Sequence, residues 1–539
     1  MSIVIFLVVS YILLSISLYM LFPKAEVEGI KGLIPGVNFS EWCKLIGRKP
    51  AYSFWLLFPI VNIFIFVGMA VDLVRSFGKL EFKHTAAAVI YAPVLFFKIA
   101  TNPKDKYIGP TLNLEAEYTR SLVEAKAGGD AYKLKQLEEK NPYKKSVLRE
   151  WTESIVFAVF AAAFIRMFLI EAYVIPTPSM EGTLNVGDFL FVSKAHYGIR
   201  PPMTIAMIPL LHNQIPIINK ESYFSKPSLP YRRLPALEKI EAGKPIVFNW
   251  PVGDSVYITK QRSYFVSQIQ RQPEYMQSDR ELVSKVRNHD FVVRPIDKKD
   301  HYIKRCVAGP GDSLKIVDKQ IYLNGKAVSN PKHLQFLYQI QLPQNVSVNT
   351  KKLDQWGIDF GDNAMGGKDL FTMGYGVLFL DNEQVEKIKS LDPGVIIQPI
   401  PQKPEPTKLF PFDTLITNNW SVDNYGPIWI PKAGVTTPLN LSNLAFYSRI
   451  IAVYEYNKLE IKGQDIYIND KKVDSYTFKQ DYYWAMGDNR HNSEDSRAWG
   501  YVPHDHIVGK PLFIWFSTKE GNIRNGINWD RIFKSASKE

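Results

Sequence analysis

Cysteine is nearly missing: Cys43 and Cys306 are the only two in 539 residues. That excludes a disulfide scaffold and any cysteine-ligated zinc or iron–sulfur centre, and it leaves the redox compartment unreadable from thiols. Charge is also sparse, at 22% against 46% hydrophobic residues, so global disorder is excluded. The apolar residues are nevertheless too interrupted for a wholly membrane-embedded transporter. A single core stops growing at roughly 250–300 residues, so at least two units are expected. The composition fits membrane segments joined to a soluble domain. The net charge of +12 would suit nucleic acid or an anionic membrane surface. No basic face interleaved with aromatics and no nucleic-acid-binding module is recognisable, so no nucleic-acid partner is expected.

Long uncharged runs lie at the N-terminal end. Ile3 to Phe22 is twenty residues without a charge, enough at 1.5 Å per residue to cross a hydrocarbon core of about 30 Å. It lacks the basic start and small-residue end of a cleavable leader. Ala51 to Val71 is a second run and Thr85 to Phe97, broken by Pro93, a shorter third that reads as a span or a re-entrant helix. A fourth, Ser154 to Tyr173, is apolar except for Arg166 and Glu171, which are expected to snorkel toward headgroups. Eleven Lys or Arg between Lys98 and Glu153 place that loop in the cytoplasm and everything after the fourth span outside. Arg75, Lys79 and Lys83 count against a simple alternation of the earlier spans.

Beyond Val174 the pattern changes to short Val-, Ile-, Tyr- and Phe-rich runs broken by Gly, Pro, Asn and Asp. Phe189–Val192, Ile246–Asn249, Leu314–Val317, Gln320–Leu323 and Ile507–Phe516 read as strands, and Glu383–Ser390 as a short helix. Tyr302 to Val328 aligns without gaps on Tyr447 to Val473, as a strand followed by a hairpin. The second copy carries Arg449 in place of Lys304 and lacks Gly309-Pro310-Gly311-Asp312, so any chemistry belongs to the first.

Three polar motifs interrupt this apolar background. Ile175-Pro176-Thr177-Pro178-Ser179-Met180-Glu181-Gly182-Thr183-Leu184 follows the last span and presents a serine in a proline-stiffened stretch. In His301-Tyr302-Ile303-Lys304-Arg305-Cys306, Lys304 is flanked by apolar residues. Burial would depress its pKa, which suits a general base, whereas an edge strand would leave it solvated. Met486-Gly487-Asp488-Asn489-Arg490-His491-Asn492-Ser493-Glu494-Asp495-Ser496-Arg497 is a polar loop between apolar runs, in which Asp488 or Asp495 is expected to pair with Arg490 or Arg497.

In residues and in order these motifs resemble the signature boxes of bacterial type I signal peptidases, membrane-bound Ser/Lys endopeptidases. The resemblance covers roughly residues 165–200, 243–251, 301–328 and 482–517. It implies an all-β catalytic domain of coiled antiparallel sheets, a signal peptidase/LexA-like Ser-Lys fold with an enlarged accessory β-domain, behind N-terminal transmembrane helices. It implies Ser179 as nucleophile and Lys304 as general base. Thr177 and the Ser179 N–H would form the oxyanion hole, and Ser493 would orient the lysine. Asp488, Arg490, Asp495 and Arg497 would be structural supports. Tyr173, Ile175, Pro176, Met180, Leu184, Tyr302 and Ile303 would line shallow pockets for small residues of the Ala-x-Ala kind. Substrates would be secretory preproteins, with membrane lipid and the secretion translocon as partners, and no metal or cofactor would be needed. The enzyme would sit in the cytoplasmic membrane as a multi-pass protein with its catalytic domain outside. The chain departs from the family at Gly182, where proline is common, and at Ala308-Gly309.

On this reading residues 1–103 anchor the protein, 104–153 form a basic cytoplasmic loop, and 154–173 are a transmembrane helix. Residues 174–328 begin the catalytic domain, 329–480 are the accessory insertion, and 481–539 complete the catalytic domain. Two other readings compete. A LexA-like autoprotease would share the chemistry but would be expected to bind DNA. A membrane-anchored β-domain could bind exported proteins without cutting them, but it would have no need of Ser179, Lys304 and Ser493 together.

Overall fold

The computed structural model describes residues 3–57, 61–144, 147–216, 218, 220–260, 262–271, 274–344, 346, 350–358 and 374–536. They divide into two compact units, one reaching to Phe157 and the other beginning at Ala158.

The first unit is helical: α1 (Ile3–Leu21), α2 (Val37–Ile46), α3 (Val61–Ser76), α4 (Phe82–Thr101), α5 (Thr111–Ala127) and α6 (Ala131–Glu139), with α7 (Val147–Phe168) starting in it. Leu18, Trp42, Ile46, Leu73 and Phe96 form its core. The Trp42 indole N–H donates to the Met69 carbonyl at 3.1 Å, so the largest buried ring also ties α2 to α3. The Lys24 ammonium caps the end of α4, donating to the carbonyls of Ile99 (2.8 Å) and Asp105 (3.0 Å). Three helices among the described residues are long and apolar enough to cross a membrane, within Val8–Ala25, Phe82–Thr101 and Glu150–Phe168. The third apolar run is therefore a full twenty-residue helix, kinked at Tyr91, two residues before Pro93. The second run is not one long helix. Pro50–Leu57 is 3₁₀ and Val61–Ser76 is a sixteen-residue α-helix.

The second unit is mostly sheet. Seven antiparallel strands make its main sheet: β1 (Ile170–Val174), β2 (Asp188–Ser193), β3 (Pro245–Asn249), β4 (His301–Ala308), β5 (Tyr482–Met486), β6 (Val502–Pro503) and β7 (Ile507–Ser517), in the spatial order β1-β2-β7-β3-β4-β5-β6. Alternation sorts the side chains. Ile246, Phe248, Trp250 and Cys306 pack with Trp499 and Ile507 on one side, while Val247 packs with Leu190, Val192 and Ile514 on the other.

The fourth apolar segment requires a correction. The helix α7 ends at Phe168, and Ile170–Val174 leave it to pair with β2, Tyr173 opposite Leu190. Arg166 and Glu171 do not snorkel apart: Arg166 Nε donates to the Glu171 carboxylate at 2.8 Å, and the Lys194 ammonium meets the same carboxylate at 2.8 Å. Glu171 is buried, and a buried carboxylate needs such partners. Burial pushes its pKa up, but Lys194, His301 and Arg166 outweigh burial and hold it below the usual carboxylate range.

Segments between the boxes build smaller sheets and short helices. Asn382–Lys389 is a helix with a capping box on Asp381, close to the expected Glu383–Ser390. Half of the internal repeat is a structural one. Strands Ser313–Val317, Gln320–Leu323 and Lys326–Ala327 recur as Leu459–Lys462, Asp465–Ile468 and Lys471–Val473. The Asn324 carboxamide accepts from the Ser313 N–H at 2.8 Å as that of Asn469 does from the Lys458 N–H at 3.0 Å. Both hairpins pack into one core, through Leu314, Ile316 and Ile321 and through Ile466 and Ile468. The other half does not repeat: Tyr447 and Arg449 lie in the helix Leu444–Arg449, not in a strand like β4.

Candidate active site

Ser179 lies on the 3₁₀ turn Pro178–Met180, entered from an extended Thr177. Pro178 pre-sets the φ angle of that turn. Lys304 comes from β4, opposite Ile246 of β3, and is only 3% exposed. The two meet: Lys304 Nζ stands 2.6 Å from Ser179 Oγ and 3.1 Å from the Ile303 carbonyl oxygen. The ammonium also lies 5.5 Å from the centre of the Tyr302 ring, which stacks on Trp250. Burial pulls Lys304 down from 10.5 to about 8, partly opposed by the carboxylates of Asp495, Glu494 and Asp488. The Thr177 hydroxyl is 3.5 Å from that of Ser179.

The third motif forms the floor. The Asp495 carboxylate grips Arg497 in two parallel bonds of 2.9 and 2.7 Å and accepts from the Gly487 N–H at 3.0 Å. Asp488 takes a partner the sequence reading did not assign: Arg305 of β4 donates Nε and Nη2 to its carboxylate at 2.8 and 2.7 Å, both residues being buried. Arg490 instead donates Nε to the Gly487 carbonyl at 3.1 Å. Ser493 is brought to the same place, against Gly487, and makes no hydrogen bond to Lys304 in this structure.

The neighbours of Gly487 explain its lack of a side chain. A Cβ there would run into the Ser493 hydroxyl and the Ser179 carbonyl oxygen. Gly487→Ala is therefore expected to displace the nucleophile turn and lower kcat by about a hundredfold with KM nearly unchanged. Steady-state cleavage kinetics check this. Gly182 has its own requirement, since its φ of +91° is closed to proline.

Of the proposed pocket walls, Ile175, Met180 and Leu184 sit in the core with Leu190 and Val192, while Tyr173 and Ile303 pack against its edge. Pro176 is exposed, and Tyr302 is half-buried. Tyr173 donates its hydroxyl to Glu171 at 2.6 Å. Cys306 is wholly buried and burial pushes its thiol up to about 12, so it is no nucleophile at neutral pH. No cluster of three metal-binding side chains occurs among the described residues.

The 329–480 segment reaches this loop. Gln335 bridges to Asn489, its N–H donating to the Asp488 carbonyl (3.0 Å) and its carbonyl accepting from the Arg490 N–H (2.9 Å). His491 accepts the Leu337 N–H at Nδ1 (3.1 Å), so its Nε2 carries the proton and donates to Asp423 (2.7 Å).

A buried lysine against a serine, on a mostly-sheet unit behind apolar helices, defines a serine hydrolase of the Ser/Lys class. A family model described as signal peptidase, peptidase S26, matches residues 148–375 and 474–516, just over half of the chain, and the chain belongs to that family. Signal peptidase I of Buchnera aphidicola (subsp. Baizongia pistaciae) is 24% identical over 415 residues, covering 74% of this chain and 89% of the relative. Signal peptidase I of Haemophilus influenzae is 26% identical, covering 74% and 80%, and that of Helicobacter pylori (strain J99) is 22% identical, covering 71% and 90%. A second family model, of unknown function, matches residues 30–110.

Proposed function

We propose that this chain is a membrane-bound serine endopeptidase that removes signal peptides from secretory preproteins. The observation that carries the reading is the 2.6 Å contact between the buried Lys304 amine and the Ser179 hydroxyl. In its neutral form Lys304 takes the Ser179 proton as the hydroxyl attacks the scissile carbonyl. The resulting ammonium then protonates the leaving amine, and water, activated by the same lysine, hydrolyses the acyl-enzyme. The Thr177 hydroxyl and the Ser179 N–H receive the oxyanion. Gly487, tied to Asp495, packs against Ser179, and Asp488 fixes Arg305 beside Lys304 on β4, which keeps the lysine and serine in register.

Two open strand edges support binding by strand addition. Among the described residues, β1 has a neighbour on one side alone, and β4 pairs with β5 only from Arg305 onward, leaving that edge of His301–Lys304 open. An extended peptide laid between Tyr173–Pro176 and Tyr302–Lys304 brings its carbonyl to Ser179, and small residues of an Ala-x-Ala site fit against Ile175 and Ile303. The apolar helices anchor the enzyme in the cytoplasmic membrane as a multi-pass protein, with the basic 104–153 segment inside and the catalytic unit outside, where exported chains leave the translocon.

The test is cleavage of a preprotein bearing an Ala-x-Ala site by the detergent-solubilised chain. The unaltered chain is expected to cut once, after the site, and Ser179→Ala not at all; processing by Ser179→Ala would overturn the reading. The pH dependence carries a second expectation. The active amine is the unprotonated one, and a group that titrates at about 8 is about one-tenth neutral at pH 7. kcat/KM is thus expected to rise about tenfold per pH unit below that value and level off above it. Glu494→Gln, by removing a charge that favours the ammonium, moves the rise to lower pH. A profile flat from pH 6 to 9 would remove Lys304 as the base.

A further inference from the structure

Behind the catalytic loop the charges do not balance. Arg305, Arg490 and Arg497 are each 2–3% exposed, and the two carboxylates among them, Asp488 and Asp495, are fully buried. Each carboxylate is spent in a bidentate grip, Asp488 on Arg305 and Asp495 on Arg497. Arg490 is the cation left over. Its Nε bonds the Gly487 carbonyl, while its Nη2 is buried without a hydrogen-bond partner. Gln335 Oε1 and Asn489 Oδ1 are likewise buried and unpartnered, but neutral acceptors cannot compensate a charge. Asp488 and Asp495 offset the buried charge of Arg490 only in part, because Arg497 and Arg305 oppose them, and a buried guanidinium donor without a hydrogen-bond partner matches an oxyanion.

Arg490 lines a cavity of about 240 Å³, whose other walls include Gly243, Lys244, Arg305, Ser329 and Asn330. At about 30 Å³ for each water the space holds a small oxyanion with part of its hydration. Lys244, Ser329 and Asn330 are exposed, so the cavity opens to solvent, with a second cation at its mouth.

We infer that this cavity is a binding site for a small oxyanion of the phosphate or carboxylate kind, held between the Arg490 guanidinium and the Lys244 ammonium. The site is separate from the Ser179–Lys304 pair but touches it mechanically. Arg490 holds the carbonyl of Gly487, the residue that packs against Ser179, so an anion drawn to Arg490 fixes the loop that carries Ser493. The inference stands whether or not the protein cleaves preproteins, because its readout is binding.

The probe is inorganic phosphate, titrated into the detergent-solubilised full chain while thermal unfolding is followed, with sodium chloride at matched ionic strength as reference. Phosphate is expected to raise Tm progressively once its concentration exceeds Kd, with chloride giving no such rise. Lys244→Gln changes a side chain at the open rim, so its fold and basal Tm should be unaltered while the phosphate concentration needed rises at least about fivefold. Arg490→Met is expected to abolish the response. A second arm places the chain in phosphatidylglycerol or phosphatidylcholine vesicles without phosphate. A phosphatidylglycerol-specific rise that Lys244→Gln weakens and Arg490→Met removes identifies a lipid phosphodiester as the source of the same chemistry. No phosphate or headgroup effect beyond matched salt would overturn the inference, as would a response undiminished in Lys244→Gln.

Discussion

Lys304→Met is expected to reduce preprotein cleavage by about four orders of magnitude while leaving the protein folded. The substitution is chosen for its physics. Methionine fills nearly the same unbranched volume and removes an ammonium that burial has already destabilised, as the fall to about 8 records. Thermal stability should hold or rise, so lost activity could not be blamed on a damaged core. Lys304→Arg should be as inactive, because a guanidinium stays protonated and cannot take the Ser179 proton. Retention of more than about one part in a hundred of the activity by Lys304→Met would show that another group serves as base. His301, the histidine nearest in sequence, belongs to a different cluster, its ring 4.1 Å from that of His212.

The second large effect concerns stability. Asp488→Ala removes the carboxylate that grips Arg305 in two hydrogen bonds, a guanidinium only 2% exposed. Breaking a buried pair from one side costs about 3–5 kcal/mol, whereas replacing both partners by apolar residues of similar volume is often close to neutral. Asp488→Ala should therefore unfold at much lower urea, and Arg305→Met combined with Asp488→Leu should regain most of the loss, as read by pulse proteolysis of the second unit. A cost below about 1 kcal/mol for Asp488→Ala would put the pair in the class of surface bridges. Because β4 carries both Arg305 and Lys304, the single-site variant should also lose activity before it loses its fold.

The sequence was readable where a residue's meaning is local. Ser179 and Lys304 stand in distinctive strings, and β2, β3 and β7 of the main sheet announce themselves by composition and turn residues. Asp495 and Arg497 are two positions apart, so their pairing follows from one loop. Asp488 also had an arginine two residues away, yet its bidentate partner is Arg305, 183 positions earlier. Only the pairing of β4 with β5, Met486 opposite Arg305, brings them together. The end of α7 was misplaced for a similar reason. Ile170–Val174 is apolar enough to extend a span, and what makes it a strand is the complementary edge of β2. The internal repeat shows the same boundary: local hairpin chemistry repeated, while the strand before it depended on neighbours that the second copy does not have.

The bridge from Gln335 to Asn489 bears on truncation. The 329–480 segment lies between two of the sequence boxes, and Gln335 near its start completes the backbone pairing of the loop that holds Gly487 and Ser493. Deleting the segment would strip partners from the Asp488 carbonyl, the Arg490 N–H and the His491 ring together, so a chain shortened there is expected to lose the order of this loop along with its activity.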